Sequence, residues 1–320
     1  MEAVLILIIS FIALIWAANH LVSGASGLAY HLNISPLVIG LTIVAIGTSA
    51  PELIFSILSS IKSRNDLVVG NAIGSNIANI GLVLGITILI KPITLNNTAL
   101  KKAYPILIIA MLFAYSLILD GFLGKIDGCL FLITFIIVIA LFIYWANQSS
   151  TKDVFYTEFK TAFIANRSLK TNIISILLGL VVVCISSRYL VYSSIDLARW
   201  AGFSDLTIGL TIVAIGTTLP ELATSITAAL KGDEDIAVGT ILGSNIYNLL
   251  VILIFPAIIH PAKISNVVLW RDMPVMISLT LLLLFLNYHY KKNLSRWHGG
   301  ILLLIYCSYI ASIFIKANGV

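Results

Sequence analysis

Charged residues are scarce in this 320-residue chain. Asp, Glu, Lys and Arg together make up 10% of it, whereas about 25% is usual for soluble domains. Hydrophobic residues make up 59%. So few charges could not cover the surface of a water-soluble protein of this size. The composition therefore excludes a soluble globular protein and predicts a membrane protein with several spans.

Cysteine is also rare, and nothing in its spacing indicates a metal site. Cys129, Cys184 and Cys307 each lie in an apolar segment, and we interpret all three as core residues. The net charge of +5 comes from basic residues scattered among short loops. That pattern is typical of membrane topology and not of nucleic-acid binding.

Apolar runs long enough to cross a bilayer, about 20 residues, occur ten times. One long polar interval, 147–171, separates five runs from the next five, and we predict that it is a solvated cytoplasmic linker. The chain then divides into a first five-helix repeat at 1–146 and a second at 172–320, which form one integrated domain. The predicted spans are 2–28, 35–60, 67–90, 103–119, 126–146, 172–198, 204–230, 236–259, 268–288 and 297–316.

The orientation follows from the basic residues of alternate loops. The first run has no basic segment before it, so we interpret it as a spanning helix and not as a signal peptide. If the N-terminus lies outside, the inner loops carry more Lys and Arg than the outer ones. The positive-inside rule then predicts that both termini are extracellular.

One segment of the sequence occurs twice. IGLTIVAIGTSAPEL at 39–53 matches IGLTIVAIGTTLPEL at 208–222 at thirteen of fifteen positions, 169 residues apart. VGNAIGSNIAN at 69–79 and VGTILGSNIYN at 238–248 have the same offset. Five spans separate equivalent points, and because five is odd the second copy enters the membrane from the opposite side. The sequence therefore predicts an all-α integral membrane protein with ten transmembrane helices in two inverted five-helix repeats.

Each copy of the first motif places a glutamate, Glu52 or Glu221, well inside a predicted span. An ionisable residue there costs about 2.5–3.5 kcal/mol on insertion scales and is a functional candidate by default. The structural alternative is a protonated glutamate that is merely hydrogen-bonded in the bundle. That alternative has to explain two such residues at equivalent points of a repeat, which favours a functional pair.

A proline stands directly before each glutamate. Because Pro51 and Pro220 have no N–H, the carbonyls of Gly47 and Gly216 lose their helical partners. Irregular backbone at membrane depth is tolerated where it lines a polar cavity. Carbonyls, carboxylates and hydroxyls are oxygen ligands, which favour a hard cation such as Ca²⁺ or Na⁺ over zinc or copper. The motif hydroxyls belong to Thr48, Ser49, Thr217 and Thr218.

The second motif adds Ser75 and Asn79 in the first half, and Ser244 and Asn248 in the second. In each pair the residues are four apart and share one helix face. A small-residue motif of this kind is typical of helix packing. Its recurrence 23 residues after each glutamate, however, indicates a part in the cation site. Asn71 has no counterpart in the second half, and whether it lines the cavity stays open.

These motifs carry a resemblance. GTSAPE and GTTLPE, each followed by GSN-x-x-N, resemble the α-repeats of the cation/calcium antiporter superfamily, and in particular its prokaryotic sodium/calcium exchanger branch. The resemblance implies that Glu52 and Glu221 hold Ca²⁺ with the backbone carbonyls of Thr48 and Thr217. The proline argument points instead to the carbonyls of Gly47 and Gly216, each one residue earlier in the sequence. The Na⁺ positions that it implies are Ala45, Ser49, Ser75, Asn79, Ala214, Thr218, Ser244 and Asn248.

The sequence departs from this branch at one position. Some prokaryotic members carry aspartate where this chain has Asn248, so only two carboxylates remain for the cavity. The number of coupled ions and the involvement of protons therefore stay open.

The function that these features predict is a secondary antiporter that exchanges Ca²⁺ for Na⁺ by alternating access. The alternative is a proton-coupled or other-cation/Ca²⁺ antiporter on the same scaffold, and a channel stays open as a third class. No nucleophile–base set or pair of catalytic aspartates is present, so an enzyme is not expected. The expected partners are Ca²⁺, Na⁺ and lipid. We expect no cofactor and no nucleic acid, and a monomer is compatible with the sequence.

Overall fold

A computed structural model describes residues 2–94, 98–148, 168–201, 216–289 and 293–317. Its first half contains α1 (Glu2–Leu32), α2 (Pro36–Ile39), π1 (Gly40–Val44), α3 (Ala45–Thr48), α4 (Ala50–Ile61), α5 (Asn65–Ala78), π2 (Asn79–Leu84), α6 (Gly85–Ile90), β1 (Ile93–Thr94), α7 (Thr98–Ile118), β2 (Phe122–Leu123) and α8 (Lys125–Gln148). The second half contains α9 (Leu169–Trp200), α10 (Leu219–Leu230), α11 (Glu234–Tyr247), π3 (Asn248–Ile252), α12 (Ile254–Ile259), β3 (Ala262–Lys263), π4 (Val268–Asp272), α13 (Met273–His289), β4 (Asn293–Leu294) and α14 (Arg296–Ala317).

The helical architecture predicted from the apolar runs is confirmed. Each predicted span falls on helix, although the span at 204–230 is described only from Gly216 onward. By length and composition, six helices of the described ranges could cross a bilayer, and a seventh if the pair bent at Ser49 counts as one span. The predicted linker is shorter at both ends, because α8 continues to Gln148 and α9 begins at Leu169, while residues 149–167 lie outside the described part.

Two short sheets, absent from the all-α prediction, join the halves. Strand β1 pairs antiparallel with β4, and β2 pairs antiparallel with β3. Helix α7 separates β1 from β2, so the two sheets lie at opposite ends of the bundle. The Thr94 N–H also donates to the carboxylate of Glu234 at 2.5 Å, which places the 231–233 loop at the β1–β4 end. We call this end the Lys231 face, and the β2–β3 end the Lys62 face.

Helices α1 and α9 cross the bundle side by side and antiparallel. Three glycines let their backbones approach closely. A Cβ atom on Gly179 would lie 2.7 Å from the Leu21 backbone nitrogen, and one on Gly27 would lie 2.4 Å from the Asn172 side chain. At Gly24 the nearest atom would be the Asn172 carbonyl oxygen, at 2.8 Å. The two helices therefore form one closely packed pair.

The motif helices lie in the interior. Helix α11 packs against π1 through Gly40, Gly239 and Gly243, and a Cβ atom on Gly243 would lie 2.4 Å from the Leu41 carbonyl oxygen. Gly74 is the equivalent of Gly243 in the first half. The residues equivalent to Leu41 and Ala45 are 210 and 214, which lie outside the described residues. Most residues of α5 and α11 are buried, so most of their polar side chains face protein, whereas Asp66 at the start of α5 is exposed.

The prediction that all three cysteines are core residues is wrong. Cys129 and Cys307 are exposed on the apolar outer surface, and Cys184 is half-buried. Lipid is as apolar as a protein core, so an apolar sequence context does not distinguish an outward-facing cysteine from a buried one.

Candidate cation-binding site

The helix of the first motif is interrupted where the sequence predicts irregular backbone. Ser49 leaves the helical conformation (φ −84°, ψ 10°), and the helices on either side of it are bent by 45°. Pro51 then lies in the first turn of α4, where a missing N–H has no cost. The second copy of this motif has the same local geometry. Thr218 has φ −93° and ψ 3°, and Pro220 lies in the first turn of α10.

Both motif glutamates follow these breaks and are buried. Glu52 and Glu221 lie in the first turns of α4 and α10, and each is 1% exposed. The hydroxyl of Ser49, three residues before Glu52, lies 3.1 Å from the Glu221 carboxylate, so the two glutamates belong to the same part of the interior. The positive end of each helix dipole favours a carboxylate at this position, but only by about 0.3–1 kcal/mol. That gain does not offset the burial of two neighbouring negative charges.

Hydroxyl groups connect the two halves at this point. The Ser49 hydroxyl lies 3.1 Å from Oε1 of Glu221 and 2.9 Å from the Ser244 hydroxyl. Ser244 is itself 3.3 Å from the same carboxylate oxygen. Thr48, the residue before Ser49, is fully buried. Two of the predicted hydroxyl residues, Ser49 from the first half and Ser244 from the second, therefore meet at the carboxylate of Glu221.

Four asparagines form a reciprocal set of hydrogen bonds between α5–π2 and α11–π3. Asn79 donates to the side-chain oxygen of Asn245 at 3.0 Å, and Asn248 donates to that of Asn76 at 3.1 Å. Asn76 and Asn245 also donate to each other's backbone carbonyls, at 3.1 Å and 3.5 Å. Each bond in one direction has a counterpart in the other, so the two second motifs pack as equivalent partners.

Several buried oxygens near the two breaks have no hydrogen-bond donor within the described part of the chain. They are Oε2 of Glu52, Oε2 of Glu221, Oδ1 of Asn79 and Oδ1 of Asn248. An unsatisfied buried acceptor costs about 1–3 kcal/mol, and more when it is charged. Within the described residues, no group of three or more His, Cys, Asp or Glu side chains could hold a metal. A cation bound here would therefore rely on two carboxylates and neutral oxygens.

The remaining predicted residues are Ala45, Thr217, Ser75 and Ala214. Ala45 is buried, and its carbonyl accepts hydrogen bonds from the Ser49 N–H at 3.0 Å and the Thr48 hydroxyl at 3.3 Å. Thr217 is half-buried in the turn before α10. Ser75 is buried on α5. Ala214 lies outside the described residues. Asn71 is half-buried on α5, and its amide nitrogen has no hydrogen-bond partner among the described residues.

Sequence reasoning missed three residues. Asn76 and Asn245 hold the asparagine set together, and their identity in both GSN strings was the available signal. Cys184 lies beside the first break, where its thiol donates to the Gly47 carbonyl at 3.7 Å. That carbonyl is one of the two that the prolines were predicted to free. No sequence pattern connects Cys184 with Gly47, since the contact joins helices 137 residues apart.

The helices become π-helical at Asn79 and again at Asn248. Single π turns occur mostly at functional sites, because the extra residue changes the direction of side chains. In both halves the change falls on the predicted motif asparagine, which also carries an unpartnered oxygen.

Comparisons with known proteins find similar chains over almost the whole length of this one. The sodium/calcium exchanger protein family matches residues 2–144 and 171–315. The putative antiporter CaxA of Alkalimonas amylolytica is 41% identical, over 98% of each chain. The sodium/calcium exchanger MaX1 of Methanosarcina acetivorans is 32% identical, over 97% of this chain and 98% of its own. A structure of the sodium-calcium exchanger NCX_Mj, soaked with Na⁺ and Ca²⁺, superposes with a TM-score of 0.82 at 32% identity over 98% of both chains.

Proposed function

The chain belongs to the sodium/calcium exchanger protein family, and on that premise we propose that it is a secondary antiporter that exchanges Ca²⁺ for Na⁺ across the membrane. Its relatives are named as exchangers and antiporters and not as enzymes. The apolar helices make it a multi-pass membrane protein.

One observation carries the proposal: two carboxylates, one from each half, are buried, and each has an oxygen without a hydrogen-bond donor among the described residues. If both are ionised and about 5 Å apart, they repel by roughly 3 kcal/mol at an effective dielectric of 20. A divalent cation between them would cancel that repulsion and satisfy both oxygens. Calcium takes about six to eight oxygen ligands, so neutral oxygens would complete its coordination.

The neutral ligands come from the motif segments. For Ca²⁺ we propose Glu52 and Glu221 with backbone carbonyls of Thr48 and Thr217. The positions for Na⁺ are Ala45, Ser49, Ser75, Asn79, Ala214, Thr218, Ser244 and Asn248. The unpartnered oxygens of Asn79 and Asn248 and the hydroxyl of Ser49 beside Glu221 support this assignment.

The proposed architecture has ten spans in two inverted five-helix repeats, with both termini outside. The reciprocal hydrogen bonds of the four asparagines are what a two-fold relation between the halves would produce. The strand pairs are also consistent with it, because β1 and β3 are 169 residues apart and each pairs with a strand from the other half.

Exchange without leak follows from the same charges. An empty site holds two ionised carboxylates that are costly to occlude, whereas a site filled by Ca²⁺ or Na⁺ is close to neutral. We infer that the loaded protein crosses readily between a state open to one side and a state open to the other. In this mechanism α1 and α9 move as a pair against the motif helices, which remain together as a core.

Flux measurements in proteoliposomes test this function. ⁴⁵Ca²⁺ uptake is measured with a Na⁺ gradient, a K⁺ gradient and a pH gradient offered separately. We expect uptake to depend on the Na⁺ gradient, and Glu52→Gln and Glu221→Gln to abolish it. Asp66→Asn, which neutralises an exposed carboxylate at the start of α5, is the matched control and keeps the wild-type rate. Uptake that needs no counter-ion on the far side would contradict antiport.

The same experiment separates the proton-coupled alternative. That alternative gains support from Asn248, because the site has two carboxylates and not three. If the pH gradient alone drives Ca²⁺ uptake in the absence of Na⁺, the coupling ion is H⁺ and not Na⁺. The proposed Ca²⁺ ligands would stay the same.

A further inference from the structure

The loop after α10 is hydrogen-bonded to α1 at the Lys231 face. The Lys231 ammonium donates to the Asn19 carbonyl at 3.0 Å and to the Ser23 hydroxyl at 2.5 Å. Two residues later, Asp233 accepts a hydrogen bond from the Ser26 hydroxyl at 2.9 Å. Both loop residues are charged, and hydrogen bonds to charged groups are about twice as strong as neutral ones.

These contacts hold α1 where it covers the Lys231 end of α10. Val22 and Ala25 of α1 belong to the same buried apolar cluster as Ala228 and Ala229 of α10. All four side chains are fully buried. If α1 moved away, this surface would open and the three polar contacts would break together. The loop therefore connects α1, which moves in the proposed mechanism, with α10, which remains in the core.

The repeat permits a direct comparison with the other face. The positions 169 residues from Lys231 and Asp233 are Lys62 and Arg64, both exposed. On the opposing helix, Asn19 corresponds to Arg188, an exposed cation that contacts Tyr192 of its own helix at 3.1 Å. The contacts of the Lys231 face thus join one cation and one anion to neutral oxygens, whereas the corresponding positions of the Lys62 face include three cations, Lys62, Arg64 and Arg188. The equivalent closure of the Lys62 face would bring like charges together, which is unfavourable.

We propose that Lys231 and Asp233 form a one-sided latch that holds the Lys231 face closed, and that the cations Lys62, Arg64 and Arg188 oppose closure of the Lys62 face. The two effects act in the same direction. They bias the protein towards the conformation seen here. The proposal rests on the proposed alternating access, because a latch matters only if α1 leaves α10 during the cycle.

The labelling rate of an engineered cysteine measures how often α1 moves away from α10, and the experiment needs no transported ion. In a background with Cys129→Ser, Cys184→Ser and Cys307→Ser, Ala228→Cys places a thiol under α1. A membrane-impermeant maleimide is applied from the Lys231 face. Lys231→Met keeps most of the side-chain length but removes its donors, and we expect it to raise the labelling rate about tenfold. Ser26→Ala, which removes the bond to Asp233, is an independent variant with the same expected direction.

Two further variants complete the test. Lys91→Met removes an exposed lysine at the same face whose side chain makes no hydrogen bond to α1 within the described residues, and it leaves the rate within twofold of the parent. Arg188→Asn removes the central cation of the other face and raises labelling of the same cysteine, because it eases closure there. Melting temperatures confirm that each variant is folded.

The proposal is overturned if folded Lys231→Met and Ser26→Ala label as slowly as Lys91→Met. It is also overturned if Arg188→Asn slows the labelling. Failure of the proposed function has a different signature, since Ca²⁺ uptake would then be independent of Na⁺ and of Glu52 while the labelling rates still report the latch.

Discussion

The Ser49 hydroxyl, at the helix break just before α4, lies 3.1 Å from Oε1 of Glu221 on α10. These two residues are 172 positions apart and come from different halves of the chain. The contact brings a hydroxyl of the first half to a carboxylate of the second, at the position proposed for the cation. Substitutions in either half are therefore expected to affect one common site.

Ser49→Ala tests this contact. The substitution removes a hydroxyl that bridges Glu221 and Ser244, and we expect the apparent affinity for Ca²⁺ and Na⁺ to fall about tenfold, as for a lost hydrogen bond to a charged group. Ser56→Ala is the matched control, because Ser56 is also buried near this site but donates to the Ile252 carbonyl at 2.9 Å. Concentration dependence of ⁴⁵Ca²⁺ uptake measures both. Equal effects of the two substitutions would contradict the role of Ser49.

The asparagine set is expected to stabilise the fold. Asn76→Ala and Asn245→Ala each leave a buried partner unsatisfied, at a cost of about 1–3 kcal/mol. Because the two residues bond to each other, the double variant should lose less than the sum of the single variants. Thermal melting in detergent measures all three. Thr87→Ala serves as the control, since its hydroxyl bonds only within its own helix; strictly additive losses would mean that the asparagines act separately.

Gly243 is expected to tolerate no side chain. A Cβ atom there would lie 2.4 Å from the Leu41 carbonyl oxygen and 2.7 Å from Cβ of Ala45. Gly243→Ala should therefore separate α11 from π1, lower the melting temperature by several degrees and reduce uptake, since overpacking costs about 1–3 kcal/mol. Gly300→Ala, with its nearest neighbour at 4.0 Å, should be neutral. A Gly243→Ala protein that melts like wild type would rule out this tight contact.

Cys184 is expected to be the cysteine through which alkylation inhibits transport. Its thiol lies 3.7 Å from the Gly47 carbonyl, whereas Cys129 and Cys307 lie on the outer surface. N-ethylmaleimide, which is apolar enough to reach all three, should inhibit uptake in wild type and in Cys129→Ser/Cys307→Ser protein. Cys184→Ser protein should be resistant. Inhibition that persists in Cys184→Ser protein would place the sensitive thiol elsewhere.

The sequence predicted the parts of this molecule that depend on composition and repetition. Apolar length located the helices, because the bilayer fixes how long a span must be. The paired glutamates and prolines located the breaks, because proline and a buried charge each have a definite cost in a membrane helix. The repeat then indicated that Ser49 and Glu221 would serve one site, although nothing in the spacing specified their direct contact.

Other features depend on contacts that spacing does not fix. Ser75 and Asn76 are both neighbours of Asn79 on a helix of 3.6 residues per turn, so periodicity could not decide which of them faces the other half. The π turns at Asn79 and Asn248 arise from packing and have no clear sequence signature. The two short sheets also escaped prediction, since each consists of two-residue strands that pair across the halves.

Equilibrium binding of ⁴⁵Ca²⁺ to the purified protein is the most direct measurement of the shared carboxylate site. One ion should bind per chain, and Glu52→Gln and Glu221→Gln should each abolish that binding, with the double variant no different from either single one. Asp66→Asn should bind as wild type does. Two independent ions per chain, or unchanged affinity in either glutamine variant, would contradict a single Ca²⁺ held between Glu52 and Glu221.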